Sequence, residues 1–273
     1  MFTKVVGHGY PIVLMHGGPG ADHSTLSALR PCADTYTLIY YDHRCNGRSR
    51  GADVTTLTWD NLTADADALR QTLGFERWAI LGHSFGGMVA LEYALRYPDR
   101  VSHLMLLDTC GDIRVVQQNA PRLLTQRGYS AATVKTAERF FNGQLTSHEI
   151  VPAMLRFGSA YIYRQDVVAL VHELVTSLRI KARPETTVFG FSQLLKNWTV
   201  MDRLHEITAP TLVSAGRHDF EFPPEHQALL AERICGAQLA IIERAGHNSP
   251  LEQPAEVRRL MRQFLNISSV SAA

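Results

Sequence analysis

Long apolar runs are missing from this chain. The stretch at 12–15 with its neighbours falls far short of the roughly 20 residues that a membrane-crossing helix needs, so no span is expected. Charge of one sign is missing too. The 27 basic and 26 acidic residues leave a net charge of +1 without a long block of either sign. Neither nucleic acid nor an anionic membrane surface is therefore an expected partner. Cysteine is scarce: Cys32, Cys45, Cys110 and Cys235 stand far apart with no C-x-x-C pair. That excludes a disulfide framework and a thiolate zinc site, and points to free thiols in a reducing compartment. No charged segment followed by a long apolar one opens the chain, so no secretory leader is expected and the location reads as cytoplasmic. The 12 histidines form no H-E-x-x-H or similar cluster, and no metal or other cofactor is expected.

What is present is a 45% hydrophobic chain of 273 residues, enough for a large core. In its first part, short runs rich in β-branched and aromatic residues (11–15, 37–41, 78–81 and 103–107) alternate with helical periodicity over 57–73 and 88–97. Such alternation predicts βαβ units and a parallel sheet. From 111 to 203 the strand signal lapses, and 121–127, 132–141, 147–157, 164–180 and 189–196 read as helices. Strand signal resumes at 211–214 and 238–242, and a helix over 255–265 closes the chain before a frayed tail at 268–273. The expected organisation is an α/β core of 1–110 and 204–273 with a helical cap, 111–203, inserted after the fourth parallel strand. Only about ten residues precede the first parallel strand. The antiparallel edge usual beside such a sheet is then either absent or reduced to a remnant at 2–6.

The chemistry centres on Gly82-His83-Ser84-Phe85-Gly86, a G-x-S-x-G pattern between a strand-like and a helix-like run. A serine at a sharp strand-to-helix turn needs small neighbours, and the helix start aims N–H groups at developing negative charge. His16-Gly17-Gly18-Pro19-Gly20 follows the first parallel strand. Its Gly17 and Gly18 amides, with that of Phe85, are the candidate oxyanion hole. His247, in a Gly-His loop after 238–242, is the candidate base. Asp219, after 211–214, is the candidate acid, with Asp108 as its rival and Glu221 and Glu243 as weaker ones. His83 and His218, beside catalytic candidates, read as packing residues. The turn Asp42 to Ser49 reads as structural, tied by Asp42 and Arg44.

Taken together, His16–Gly20, Asp42–Ser49, Gly82–Gly87, Gly216–Asp219 and Gly246-His247 resemble, in that order, the motifs of the α/β-hydrolase fold and its proline iminopeptidase-like group. The resemblance implies a Ser84–His247–Asp219 triad and a cofactor-free acyl-enzyme mechanism. Two departures stand out. Cys45 replaces a glycine, and Phe220 follows Asp219 where aminopeptidases of the group often place an acid for the substrate's ammonium group. Glu221 comes one residue later, and Glu138, Glu149, Asp166, Glu173 and Glu185 lie in the cap, but no buried anionic clamp is evident. The expected substrate is therefore a small carboxylic ester or lactone, N-acyl homoserine lactones included by analogy, with proline iminopeptidase as the alternative. A ligand-binding fold without catalysis fits an intact triad poorly. A dehalogenase or epoxide hydrolase would need a carboxylate at position 84. Phe220, Tyr161, Phe157 and Trp198 are the candidate substrate contacts, with Phe140, Phe141, Tyr163, Phe189 and Phe191 as further aromatics of the cap. The helix over 164–180 could pack on a second copy, so monomer and homodimer both stand.

Overall fold

A computed structural model describes residues 1–164, 171, 175 and 178–265. Its centre is a seven-stranded sheet in the order β1-β3-β2-β4-β5-β6-β7. The strands are β1 (Thr3–Val6), β2 (Tyr10–Met15), β3 (Tyr36–Tyr41), β4 (Trp78–His83), β5 (Val101–Leu107), β6 (Thr211–Gly216) and β7 (Gln238–Ile242). β1 runs antiparallel to β3, so the edge exists as the short remnant. All other pairs are parallel.

Alternation along each strand builds two cores. Val13, Met15, Ile39, Tyr41, Ile80, Leu104 and Leu106 face one side, where α1 (Trp59–Thr72) and α2 (Phe85–Arg96) pack. Ile12, Leu14, Leu38, Tyr40, Ala79, Leu81, Met105 and Leu107 face the other. With both faces covered, the strands read as continuous apolar runs, as parallel strands do.

Between β5 and β6 lie α3 (Arg114–Gln126), α4 (Ala131–Phe141), α5 (Ser147–Phe157) and α6 (Pro184–Phe189). Ser130 caps α4 through the Thr133 amide. Thr146 and Glu149 form a capping box at α5. The two ends of this insertion meet where Asp112 pairs with Thr199. The expected helix over 164–180 and the tail at 268–273 fall mostly or wholly outside the described residues.

The helix expected over 189–196 is instead the end of α6 and one π turn, Gly190–Leu194. The cause is close packing: a Cβ on Gly190 would lie 2.2 Å from Pro19 Cγ. Arg183 N donates to Gly20 O at 2.7 Å and Thr187 Oγ1 to Pro19 O at 2.9 Å, which seats this segment on the Gly-rich turn after β2. The chain continues after β6 with α7 (Pro224–Arg233), and after β7 with α8 (Ser249–Glu252) and α9 (Pro254–Phe264). The second core is completed by Val257 and Met261 of α9 and by Leu26, Leu29 and Cys32 of a 3₁₀ stretch, His23–Asp34.

Candidate active site

The motifs converge because their strands are neighbours in a parallel sheet, so the loops at their C-terminal ends share one edge. Met15 of β2 pairs with Gly82 of β4, which sets the His16–Gly20 turn beside the serine turn. Gly216 of β6 pairs with Ile242 of β7. Arg217 N and His218 N then donate to Ile242 O and Ala245 O, stitching the Asp219 loop to the His247 loop.

Ser84 has φ 53° and ψ −124°, a conformation unfavourable for a residue with a Cβ. Strain of this kind costs about 1–3 kcal/mol. The Ser84 amide bond to Leu107 O (3.0 Å) and the Thr109 hydroxyl bond to Ser84 O (2.7 Å) offset it, at about 1 kcal/mol each. Gly86 lets α2 press against β2, since a Cβ there would sit 2.0 Å from Met15 O. Backbone on both sides cannot yield cheaply. Gly86→Ala should lower stability by about 3 kcal/mol or more, a Tm drop of roughly 10 °C in a thermal melt. An unchanged Tm would contradict this close approach.

His247 bridges the other two members. Its Nε2 lies 2.9 Å from Ser84 Oγ and its Nδ1 2.9 Å from Asp219 Oδ2. The second oxygen of Asp219 accepts the amides of Glu221 (2.8 Å) and Phe222 (3.1 Å), which locks the carboxylate plane. Burial works against charge on His247, but Glu221 and Asp219 outweigh it and hold its pKa up at about 10. The rival acid, Asp108, is elsewhere engaged: it accepts from Gly216 N (2.8 Å) and bonds Ser249 Oγ (2.5 Å).

Gly17 lies against Ser84, with its Cβ position 3.4 Å from Ser84 Cβ. Neither its amide nor that of Phe85 finds an acceptor among the described residues, so both are available to an oxyanion. Gly18, at φ 133°, makes the turn that follows. His16 braces it from below, with Nδ1–H donating to Gly17 O (2.7 Å) and Nε2 accepting from His43 N (3.0 Å). His83 Nε2 donates to His247 O at 3.0 Å, and burial holds the ring neutral with a pKa near 4. The contact between His83 and Asp108 is therefore not an ion pair.

In the 42–49 turn, Asp42 accepts from His23 (2.6 Å) and from Arg48 N (2.7 Å), while Arg44 pairs with Asp65 of α1 (2.7 Å). Burial acts to raise the Asp42 carboxyl, but these bonds hold it down at about 2. Cys45, the residue standing for glycine, carries a positive φ of 62°.

Of the candidate substrate contacts, Tyr161 packs on His247, and Phe220 packs in turn on Tyr161. The Tyr161 ring is 5.4 Å from His247 and 5.1 Å from Phe220. Phe157 stands one ring further out, 6.3 Å from Tyr161, and Phe140, Phe141 and Phe191 extend the aromatic wall. Trp198 does not belong to it. Its Nε1 donates to buried Glu92 of α2 (2.8 Å) and its ring packs on Trp59 at 5.1 Å. That buried hydrogen bond makes it a brace between the insertion and the core rather than a substrate contact. Tyr163 stacks on His218 at 4.2 Å.

The sequence shows no buried anionic clamp and no signal for several residues that the fold brings to the site. A buried anion does stand in the site: Glu221 is 5% exposed and its Oε2 lies 3.6 Å from His247 Nε2. The Asp219 turn swings it inward. Asp166 and Glu173, also weighed as anions, lie outside the described residues. Phe222 packs on His247 at 5.5 Å. Arg127, at the end of α3, donates to Ala160 O (3.2 Å) and His218 O (2.5 Å). Glu252 accepts from Gly246 N and Tyr163 N, both at 2.6 Å, and Asn248 N donates to Tyr161 O at 3.1 Å. These bonds tie the 158–164 segment to the loops that carry Asp219 and His247. With Ser84 7% and His247 2% exposed, the triad is covered. No described helix is long and apolar enough to cross a membrane.

Residues 10–254 match the family described as the alpha/beta hydrolase fold. A proline iminopeptidase of Heyndrickxia coagulans is 28% identical over 267 residues, spanning 95% of this chain and 92% of that protein. Among solved structures, Est816, an N-acyl homoserine lactone degrading enzyme, matches with a TM-score of 0.72 at 25% identity, over 97% of this chain and 96% of that one. An esterase of Exiguobacterium antarcticum matches in fold with a TM-score of 0.76 at 24% identity, over 96% of this chain and 94% of that one.

Proposed function

The chain belongs to the alpha/beta hydrolase fold family, and we propose that within it this is a serine hydrolase of small carboxylic esters or lactones, acting through an acyl-enzyme on Ser84. The observation that carries the reading is the unbroken relay, 2.9 Å from Ser84 Oγ to His247 Nε2 and 2.9 Å from His247 Nδ1 to Asp219. His247 takes the proton of Ser84 as Oγ attacks the acyl carbon. The oxyanion gathers the Phe85 and Gly17 amides, donors of a kind worth about 2.7–4 kcal/mol each at a transition state. The imidazolium then protonates the departing alkoxide, and a water activated by the same nitrogen releases the acid. Tyr161, packed on His247 and backed edge to face by Phe220, suits an uncharged acyl group. The likeness to Est816 supports a lactone among the substrates.

A second reading has its own observation. Buried Glu221 beside His247 suits a substrate with a free amino group near the scissile bond, and a relative spanning nearly the whole chain is a proline iminopeptidase. The test is a side-by-side assay of p-nitrophenyl esters, a long-chain N-acyl homoserine lactone, prolyl p-nitroanilide and its N-acetyl form. Turnover of ester and lactone with the anilides untouched is the expected result. Preference for prolyl anilide, abolished by N-acetylation, would replace the first reading with the second.

A further inference from the structure

Ester or lactone hydrolysis gives Glu221 no task, yet two acceptors converge on one nitrogen. Ser84 Oγ stands 2.9 Å from His247 Nε2 and Glu221 Oε2 stands 3.6 Å from it. The Glu221 amide, bonded to Asp219 Oδ1 at 2.8 Å, fixes the turn, and Tyr161 bonds the side chain. It stands beside the same nitrogen that a leaving group or hydrolytic water must reach.

We infer that in the free site Glu221 and His247 hold one proton between them, so that Glu221 is a positioning residue that withholds the base from Ser84 until that proton leaves. This rests on the serine-hydrolase reading and holds for either substrate class. The proton balance is simple. Carboxylate with imidazolium and carboxylic acid with neutral imidazole contain the same proton. Ser84 can give its own proton to Nε2 only when the shared one has moved onto Glu221 or gone to solvent.

The surroundings favour this sharing. From the acid turn Asp219 faces the pair, already bonded to His247 and two amides. Asp108, at the end of β5, is pushed well up by burial and by Asp219. Cys110, following β5, is raised by burial. His83, at the end of β4, is neutral, and the Tyr161 hydroxyl comes from the insertion. Among the described residues, the positive charge facing Glu221 is that of His247 itself. Burial raises Glu221 while Glu221 in turn raises His247, the paired directions that a single shared proton produces.

The test reads the base rather than a chosen substrate. The intact protein, Glu221→Gln, Glu221→Met and Ser84→Ala are labelled with an uncharged fluorophosphonate across pH 5–10. Labelling of the wild type should climb along a limb well above neutral pH. Both Glu221 variants should move that limb down by at least about one pH unit and label about tenfold faster at pH 7. Proton NMR should show the low-field Nδ1–H resonance of the imidazolium persisting to higher pH in the wild type than in either variant. Superposable limbs, or variants slower at every pH with the resonance unmoved, would overturn the inference. If the variants fail to fold, the wild-type titration decides, because an imidazolium lost near pH 7 is incompatible with it. Labelling of Ser84→Ala would instead remove the serine reading, whatever the Glu221 variants do.

Discussion

Ser84→Ala should lower kcat by about five to six orders of magnitude, by analogy with other nucleophile–base relays, with little change in Tm. The hydroxyl oxygen meets His247 Nε2, and the backbone bonds to Leu107 O and from Thr109 survive the change. The strained φ survives as well, because alanine carries the same Cβ. What remains is the Phe85 and Gly17 amides and the binding surface, which polarise the carbonyl but supply no nucleophile. The measurement is steady-state hydrolysis of the best p-nitrophenyl ester with a thermal melt alongside. A loss under tenfold with the melt unchanged would mean that Ser84 is not the nucleophile.

Asp219→Asn should be the next largest, a fall in kcat of about 10⁴ at neutral pH. The direction follows from the bonds. The amides of Glu221 and Phe222 require an acceptor at position 219, so an asparagine turns its oxygen to them and its NH₂ to His247. Nδ1 then becomes an acceptor, and the ring proton moves to Nε2, where it faces Ser84 and blocks proton transfer. Asp108→Asn is the discriminating control. Asp108 bonds Gly216 N and Ser249 Oγ, not His247, so its replacement should lower Tm while changing kcat less than about tenfold. A greater kcat loss for Asp108→Asn than for Asp219→Asn would reverse the assignment of the acid.

Much of this was legible in the chain because the chemistry sits in short local patterns. The serine turn needs Gly82 and Gly86 beside Ser84, and the parallel strands announce themselves as apolar runs. Acid and base then appear in loops following strands. Long-range placement was not legible. Trp198 looked like a cavity aromatic because its partner, Glu92, is 106 residues away. The inward turn of Glu221 depends on both oxygens of Asp219 being claimed, one by His247 and one by backbone amides. α7 was hidden by Pro223-Pro224, which suggests a loop, although Pro224 occupies the first helical position, where proline is favoured. The 3₁₀ stretch of residues 23–34 contains Pro31 and lacks the spacing of an α-helix.

The ties on residues 158–164 bear on how such an enzyme can be recombined. Arg127 holds the Ala160 and His218 carbonyls, and Glu252 holds the Gly246 and Tyr163 amides. Position 160 thus shares a partner with His218, the neighbour of Asp219, and position 163 with Gly246, the neighbour of His247. A chimera that exchanges the helical insertion at its chain ends alone discards half of each tie and loosens the Asp219 and His247 loops it meant to keep. The smallest transplantable piece is three-part: the insertion together with the loops 217–222 and 244–252.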